Sequence, residues 1–244
     1  MGAVVNYFPV PGSQESASLA WLTQMAAFVQ AKDATLTRVV FRSSCNTMAD
    51  FDLATAVNSA TSGLVAIPGS NFLKLRVSTG TSASSLQQVS QRNLAVPAAA
   101  STFTPIIANC RTSKFAVCTR TIINAINVTA QNICCNMTDQ ASADSYLGTF
   151  GATNTTNFFL KIGAAAAIDT GVAIGTLGTT EHDLIIIGDT TNINAYIDLA
   201  TTAVATGAQN TAANAAGHVN TYAVNGVTAS NVSHDTLQWA AFTA

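Results

Sequence analysis

The acidic side chains are the first candidates for chemistry, because glycoside hydrolysis needs a pair of carboxyl groups at a fixed separation of several ångströms. The sequence contains only two glutamates, Glu15 near its start and Glu181 far along the chain. Asp50 with Asp52, and Glu181 with Asp183, could each share one face of a strand. Both pairs lie beside turn-like sequence, where solvated acids are common. We therefore expect no hydrolytic carboxylate pair.

Histidine and cysteine are also poorly spaced for catalysis. The three histidines, His182, His218 and His234, are far apart in the sequence, and the acids on either side of His182 would alternate faces on a strand. The five cysteines show no C-x-x-C spacing, so buried thiols are a better interpretation than zinc or redox chemistry. No nucleophile elbow or phosphate-binding glycine loop occurs. These residue types predict that the chain is not an enzyme and uses no cofactor or metal.

Charge is scarce and unevenly distributed along the chain. Charged residues make up 9% of the sequence, against about 25% in an ordinary soluble domain. All ten Lys and Arg lie between Lys32 and Lys161, so residues 1–161 carry a net +4 and the remainder carries −6. If these parts face different neighbours, the asymmetry favours head-to-tail or lateral contacts between subunits; a solvated acidic edge is the alternative. Neither part is basic enough to predict binding of nucleic acid.

The first 35 residues are expected to form an arm and a helix. Pro9, Pro11 and Gly12 favour an extended segment over residues 1–12. Apolar residues then recur at helical spacing from a Ser13 or Ser16 cap to about Lys32, and such a helix is buried either on its own domain or on a partner. The candidate assembly contacts are the large apolar side chains of this segment: Tyr7, Phe8, Leu19, Trp21, Leu22, Met25 and Phe28. No apolar run is long enough to span a membrane, and no secretory signal is evident, so we expect folding in the cytoplasm.

Residues 36–244 are expected to form one all-β domain. From residue 36 the apolar period changes from 3.6 to 2, as in TLTRVVFRSS (35–44) and FLKLRVST (72–79), which are both expected to be half-buried strands. Short apolar or alternating runs separated by Gly, Asn, Thr and Ser, with no second helix, predict an antiparallel sandwich or barrel. Further predicted strands cover residues 114–122, 132–138, 157–163, 183–189, 192–198, 203–206 and 237–242.

The order of motifs in residues 157–207 is more specific. A D-T-G-V segment (169–172) is followed by EHDLII (181–186) and then by NAYID (194–198). This order resembles the second half of concanavalin A-like, laminin-G-type jelly rolls. There a core-facing strand is followed by a D-T-G-V turn, a W-H-x-L-x-I strand and a Y-I-D hairpin. The resemblance implies that Tyr196 and Ile197 face opposite sides of one strand and that Asp198 begins a hairpin returning through Val204.

This fold carries lectins, glucanases, adhesion modules and structural proteins of tailed phages, so it does not by itself fix a function. Together with the charge-poor composition and the apolar arm, the resemblance implies a virion structural protein. The expected position is capsid decoration or cement, or a surface subunit of a head fibre or tail. Its partners would be further copies of itself, a major shell protein, or both.

A lectin-like module is the alternative function. Lectins of this fold place Asp, Asn and aromatic side chains at loop ends, where they bind sugars such as a host-surface glycan. The candidate glycan contacts are Asn154, Asp189, Asn192 and Tyr222. Asparagine is frequent throughout the chain, however, so any loop would supply some of these groups.

Overall fold

A computed structural model describes residues 12–47, 51–57, 60–79, 86–91, 107, 109–128, 130–138, 143–150, 154–210, 218–224 and 231–244. The predicted helix is confirmed as α1 (Gln14–Lys32). Ser13 caps it, because the Ser13 hydroxyl accepts a hydrogen bond from the Ser16 N–H at 3.1 Å. Within the described part of the chain, no helix is long and apolar enough to cross a membrane.

The described residues form fifteen strands. In chain order these are β1 (Arg38–Ser43), β2 (Phe51–Val57), β3 (Thr61–Ala66), β4 (Leu73–Ser78), β5 (Leu86–Gln91), β6 (Phe115–Ala125), β7 (Gln131–Thr138), β8 (Ala143–Phe150), β9 (Asn154–Ile162), β10 (Ile168–Ala173), β11 (Glu181–Gly188), β12 (Asn192–Ile197), β13 (Ala205–Ala208), β14 (His218–Val224) and β15 (Ser233–Thr243).

The strands form two antiparallel sheets. Sheet A has the order β13-β12-β11-β6-β15-β4-β3, and β1 pairs with the carboxyl-terminal half of β15. Sheet B has the order β10-β9-β8-β7-β14-β5-β2. The chain passes repeatedly between the two sheets, so the predicted all-β jelly-roll sandwich is confirmed.

The main hydrophobic core lies between the sheets. Alternate residues of each strand enter it, including Leu184 and Ile186 of β11 and Phe158 and Leu160 of β9. Trp239 of β15 is fully buried at one end of the core, where its ring packs edge-on against Phe41 and stacks with Phe51. This core holds the two sheets together.

A second hydrophobic cluster lies on the outward face of sheet A, where α1 packs. Trp21, Met25 and Val29 of the helix are buried there against seven residues of the sheet: Ala116, Cys118, Ile185, Ile187, Tyr196, Ala240 and Phe242. Gln14 fixes the start of the helix, since its side chain donates to the Leu73 carbonyl at 2.6 Å and accepts from the Leu73 N–H at 2.9 Å. The helix is therefore part of the same folded unit as the sandwich.

The motifs in residues 157–207 are only partly where the resemblance implies. Tyr196 packs under α1 while Ile197 enters the main core, so these two residues do face opposite sides of β12. The chain turns at Asp198 and Leu199, both at positive φ, and returns with Val204 N–H donating to the Ala195 carbonyl. The D-T-G-V segment, however, lies within β10. Gly171 has φ +69° and the register with β9 shifts there, so this sequence makes an irregular strand rather than a turn.

Candidate functional site

Asp183 of β11 has a buried carboxylate on the outward face of sheet A, beside α1. Trp21 Nε1 donates to Asp183 Oδ1 at 2.7 Å, and the Arg120 guanidinium of β6 binds both carboxylate oxygens at 2.9 and 2.8 Å. β6 and β11 are neighbours, and Asp183 lies directly opposite Arg120 in their register. Trp21 and Arg120 together donate three hydrogen bonds to this carboxylate, which links α1, β6 and β11.

His182, the neighbour of Asp183, contacts Asp198 on the turn after β12. The His182 Nδ1 lies 2.8 Å from Asp198 Oδ2, and Asp198 Oδ1 accepts the Asp183 N–H at 2.9 Å. Burial alone would raise the pKa of Asp198, but these hydrogen bonds from His182 and Asp183 hold it below the ordinary value. Glu181 is exposed and takes no part. As the alternation of strand residues predicts, these three consecutive side chains form no proton relay.

A second ion-pair cluster lies farther along the same outward face. Asp235 of β15 is fully buried and receives Lys74 Nζ at 2.6 Å and Arg76 Nε at 2.7 Å, both from β4. Burial raises the pKa of Asp235, but hydrogen bonds from Arg76 and Lys74 outweigh it and the pKa is lowered. The alternation in β4 places Lys74 and Arg76 on one face of the strand. Their acidic partner, Asp235, lies about 160 residues later in the sequence and is brought near only by the pairing of β15 with β4.

His234 lies inside the sandwich. One ring nitrogen contacts the Asn132 amide oxygen at 3.1 Å, and the other contacts the Thr221 hydroxyl. Burial lowers the pKa of His234 to about 4, although Asp235 opposes the shift. A fully buried neutral imidazole of this kind joins the two sheets and has no access to substrate. Among the described residues, no group of three or more His, Cys, Asp or Glu could hold a metal ion.

The cysteines have the expected structural environment, and the interpretation as buried thiols is confirmed. All five are buried thiols, and none is joined to another by a disulfide. Burial raises the pKa of Cys118 and Cys134 well above the ordinary value and that of Cys135 to about 12. Because the thiolate is the reactive form, none of these three is suited to nucleophilic chemistry.

The outward face of sheet B carries a polar row across three strands. Leu147 of β8 and Leu160 of β9 face the core, so Tyr146 and Lys161 face away from it. In the register of the sheet, Asn136, Tyr146 and Lys161 are direct cross-strand neighbours. The Tyr146 hydroxyl also bonds to Gln131 Oε1 at 3.1 Å. Asn136 and Tyr146 are buried, whereas Lys161 is half-buried and is the accessible member of the row.

The predicted assembly contacts differ in how accessible they are in the structure. Tyr7 and Phe8 lie outside the described residues. Trp21 and Met25 are buried on sheet A, so they are not available to a partner. Leu22 and Phe28 are half-buried beside the same cluster, and Leu19 is 43% exposed. Of the two environments that the sequence allowed for the helix, its own domain is the one observed.

The candidate glycan contacts Asp189 and Asn192 lie in the β11–β12 hairpin. Asp189 Oδ1 accepts the N–H groups of Thr191 and Asn192 at 2.6 and 2.7 Å, so this carboxylate stabilises its own turn. The hairpin is next to Phe115, the first residue of β6, since Phe115 lies opposite Gly188.

The other two candidates are elsewhere. Asn154 begins β9 opposite Phe150, which in turn pairs with Gln131, close to the last residue of β6. The two ends of β6 are separated by about 33 Å at about 3.3 Å per residue. Tyr222 lies within β14, opposite Ile133. The four candidate glycan contacts therefore do not converge on one site.

Comparisons with known proteins give information on the fold. The sequence matches no protein-family model and no curated protein. Among solved structures, an alginate lyase of polysaccharide lyase family 7 is 10% identical with a TM-score of 0.53, covering 81% of this chain and 95% of that one. An endo-acting O-glycanase of the human gut microbiota, acting in mucin breakdown, is 7% identical with a TM-score of 0.52, covering 84% and 99%. A protein of unknown function from Shewanella oneidensis MR-1 is 14% identical with a TM-score of 0.50 and covers 97% of both chains.

These structures contradict the prediction that the chain is not an enzyme. Two of the three are carbohydrate-active enzymes, so the fold is one that supports such catalysis. The prediction depended in part on the lack of a glutamate pair, which is a requirement of glycoside hydrolysis and not of a lyase reaction. At identities this low the likeness extends to the fold alone. The chain is an antiparallel jelly-roll β-sandwich, consistent with its resemblance to concanavalin A-like domains.

Proposed function

We propose that this chain is a structural subunit of a virus particle, at a capsid decoration or cement position or on a head fibre or tail. The solved structures similar to it lend no support to a viral origin. The proposal is based on the edges of sheet A. Its two terminal strands, β3 (TSGLVA) and β13 (ATGA), contain no charged residue and no proline.

An uncharged edge strand is a hazard for an isolated protein. It presents unpaired backbone N–H and C=O groups that can pair with another chain, and charged residues or prolines normally prevent this. Two such edges on one sheet, in a chain with 9% charged residues, are better suited to a subunit whose sides are covered by neighbours. Further copies and a shell protein are the partners we propose, and the virion is the proposed location.

The proposal is tested by purifying virus particles from the organism that encodes the chain and quantifying their proteins by mass spectrometry. We expect the chain at high copy number, in a fixed ratio to the major shell protein. Its absence from particles, or a trace amount that varies between preparations, would overturn the proposal.

Carbohydrate binding at the outward face of sheet B is the second candidate. It is favoured by Lys161, the accessible member of the row on β7, β8 and β9, since an ammonium group hydrogen-bonds to sugars and also binds a uronate carboxylate. Two solved structures with this fold are of carbohydrate-active enzymes, an alginate lyase and an O-glycanase of mucin breakdown.

Titration calorimetry of the full chain with alginate and with mucin O-glycans tests this candidate. We expect saturable binding to one polymer, weakened by Lys161→Ala. Arg42→Ala is the matched control, because it removes one positive charge from β1 in the other sheet. No binding to either polymer, or equal weakening by both substitutions, would count against the site.

A further inference from the structure

β3 is an open edge without the features that usually protect one. It is the last strand of sheet A, and among the described strands only β4 pairs with it. Its sequence, TSGLVA, has no charge and no proline, and its register with β4 is unbroken over all six residues. Charged side chains, prolines, bulges and very short strands are the usual protection against pairing with another chain. β3 has none of these features.

Each of the other open edges among the described strands has at least one of them. β1 carries the exposed Arg38 and Arg42. β2 contains Asp52, and its register with β5 shifts. β10 has the exposed Asp169 and a register shift against β9. β13 is only four residues long and lies against strands of the other sheet. β3 is therefore the edge that is best able to accept another strand.

A glycine in the middle of β3 indicates what lies against this edge. Gly63 does not have a positive φ, and no described residue other than its chain neighbours has an atom within 4 Å of the position that a Cβ would occupy there. Neither the backbone conformation nor the packing of this chain therefore requires glycine. Glycine inside a strand costs stability and often marks a bulge or the close approach of another backbone. β3 has no bulge, so the close approach of a second strand is the explanation that remains.

We propose that β3 pairs antiparallel with β3 of a second copy of this chain, about a twofold axis at Leu64. Leu64 packs against the main core, whereas Gly63 and Val65 lie opposite Arg76 and Lys74 and face outward. The twofold axis places Leu64 beside its own equivalent, and Val65 of each copy beside Gly63 of the other, where no side chain obstructs it. Sheet A then continues through both copies.

The charges beside β3 do not oppose this contact. The charged residues of β4 are Lys74 and Arg76, and both are paired with the buried Asp235. Strand pairing therefore buries no unpaired cation, and the contact depends on backbone hydrogen bonds rather than on charge. The inference rests on the proposed function and deepens it, because it identifies a second copy as the neighbour that covers one edge of the particle subunit.

Sedimentation velocity of the full-length chain tests the contact. We expect an equilibrium between monomer and dimer that shifts toward the dimer as the concentration rises. Gly63→Glu should keep the fold, because its side chain enters open space opposite Arg76, and should be monomeric, because a charged side chain then lies at the paired edge. Val39→Glu is the matched control, since it adds the same charge beside an arginine on the exposed side of β1 and should dimerise like the unmodified chain. Thermal unfolding of both variants shows whether the fold is retained.

Cysteine cross-linking tests the register of the two strands. Directly opposite residues of antiparallel strands have Cα atoms about 4.5–5.5 Å apart, which is within reach of a disulfide. Leu64 lies opposite its own equivalent, so Leu64→Cys should form a disulfide-linked dimer on oxidation. Ala66→Cys is the control, because Ala66 lies opposite Ser62 of the second copy and about 13 Å from its own equivalent. The five buried cysteines are present in both variants and give the same background.

Three results would overturn the pairing: a chain that is monomeric at every concentration, equal association of Gly63→Glu and Val39→Glu, or equal cross-linking of Leu64→Cys and Ala66→Cys. If Gly63→Glu does not fold, the two cysteine variants decide. The particle experiment is independent of these measurements. A chain that is abundant in particles but monomeric alone would overturn the pairing and leave the proposed function, whereas a dimer that is absent from particles would do the reverse.

Discussion

Asp183 is the residue on which three parts of the fold depend. Its carboxylate accepts from Trp21 of α1 and Arg120 of β6, and its backbone N–H donates to Asp198 on the turn after β12. A hydrogen bond to a charged group contributes about 1.5–3 kcal/mol, roughly twice a neutral one. The Arg120 side chain is 29% exposed, so water can replace part of its hydrogen bonding if the Asp183 carboxylate is removed. The hydrogen bond from Trp21 to Asp183, by contrast, is buried, so water cannot replace it.

We therefore predict that Trp21→Phe lowers the free energy of unfolding by about 2–3 kcal/mol. Part of the loss is packing, and about 1–2 kcal/mol is the hydrogen bond to Asp183. Urea denaturation of Trp21→Phe, Asp183→Asn and the double variant measures the coupling, which should be about 1 kcal/mol or more.

Trp239→Phe is the matched control for this cycle. It removes the same atoms from a fully buried indole, but Trp239 Nε1 has no hydrogen-bond partner among the described residues. Its effect should add to that of Asp183→Asn within about 0.5 kcal/mol. Equal coupling of both tryptophans with Asp183 would show that the Trp21 hydrogen bond contributes nothing specific.

At the scale of elements, α1 and sheet A depend on each other. The helix supplies Trp21, Met25 and Val29, and the sheet supplies an apolar strip that includes Ile185 and Ile187. Helical spacing predicted α1 but left open whether it covers its own domain or a partner. A signal did exist in the sequence. The run LIII in β11 is apolar on both faces, and such a strand is expected to be covered on both faces.

Alanine substitutions at two apolar positions of α1 distinguish its two faces. Met25 is fully buried, so Met25→Ala should lower the free energy of unfolding by about 2–5 kcal/mol through the cavity it leaves. Leu19 is 43% exposed, so Leu19→Ala should change it by no more than about 0.5 kcal/mol. Thermal unfolding of both variants measures the difference. Similar losses at the two positions would contradict the packing of α1 on its own sheet.

At the scale of the whole molecule, sequence patterns were sufficient for the fold class and insufficient for the site. Periodicity predicted α1, β1, β4, β6, β7, β9, β11, β12 and β15 because each has a clear apolar pattern. It missed β5, β8 and β14, whose sequences are mostly polar or small and become strands only through pairing with neighbours. The Asp235 and Asp183 ion pairs join residues far apart in sequence. Nothing in the sequence indicates the order of the strands in each sheet, so these ion pairs could not be predicted.

The pH dependence of unfolding tests the buried interior of the whole sandwich. His234 has a pKa of about 4 in the folded protein because burial disfavours its charged form, whereas an unfolded histidine titrates near about 6.5. As pH falls from about 6.5 to about 4, the unfolded chain takes up a proton that the folded chain does not. The free energy of unfolding should then fall by up to about 1.4 kcal/mol per pH unit from this group.

Stability that depends on aspartates is lost in a different window. The pKa of Asp33 is lowered to about 2 by hydrogen bonds from Lys114 and Thr35, and that of Asp235 is also lowered, so their contributions are present above about pH 4 and fall below it. A decline between pH 6.5 and 4 therefore reports histidine. Urea midpoints at pH 7 and pH 5 should differ less for His234→Gln than for the unmodified chain. If that variant does not fold, NMR of the unmodified protein decides, because a His234 imidazole that titrates near pH 6.5 in the folded state would show that it is accessible to water rather than sealed between the sheets.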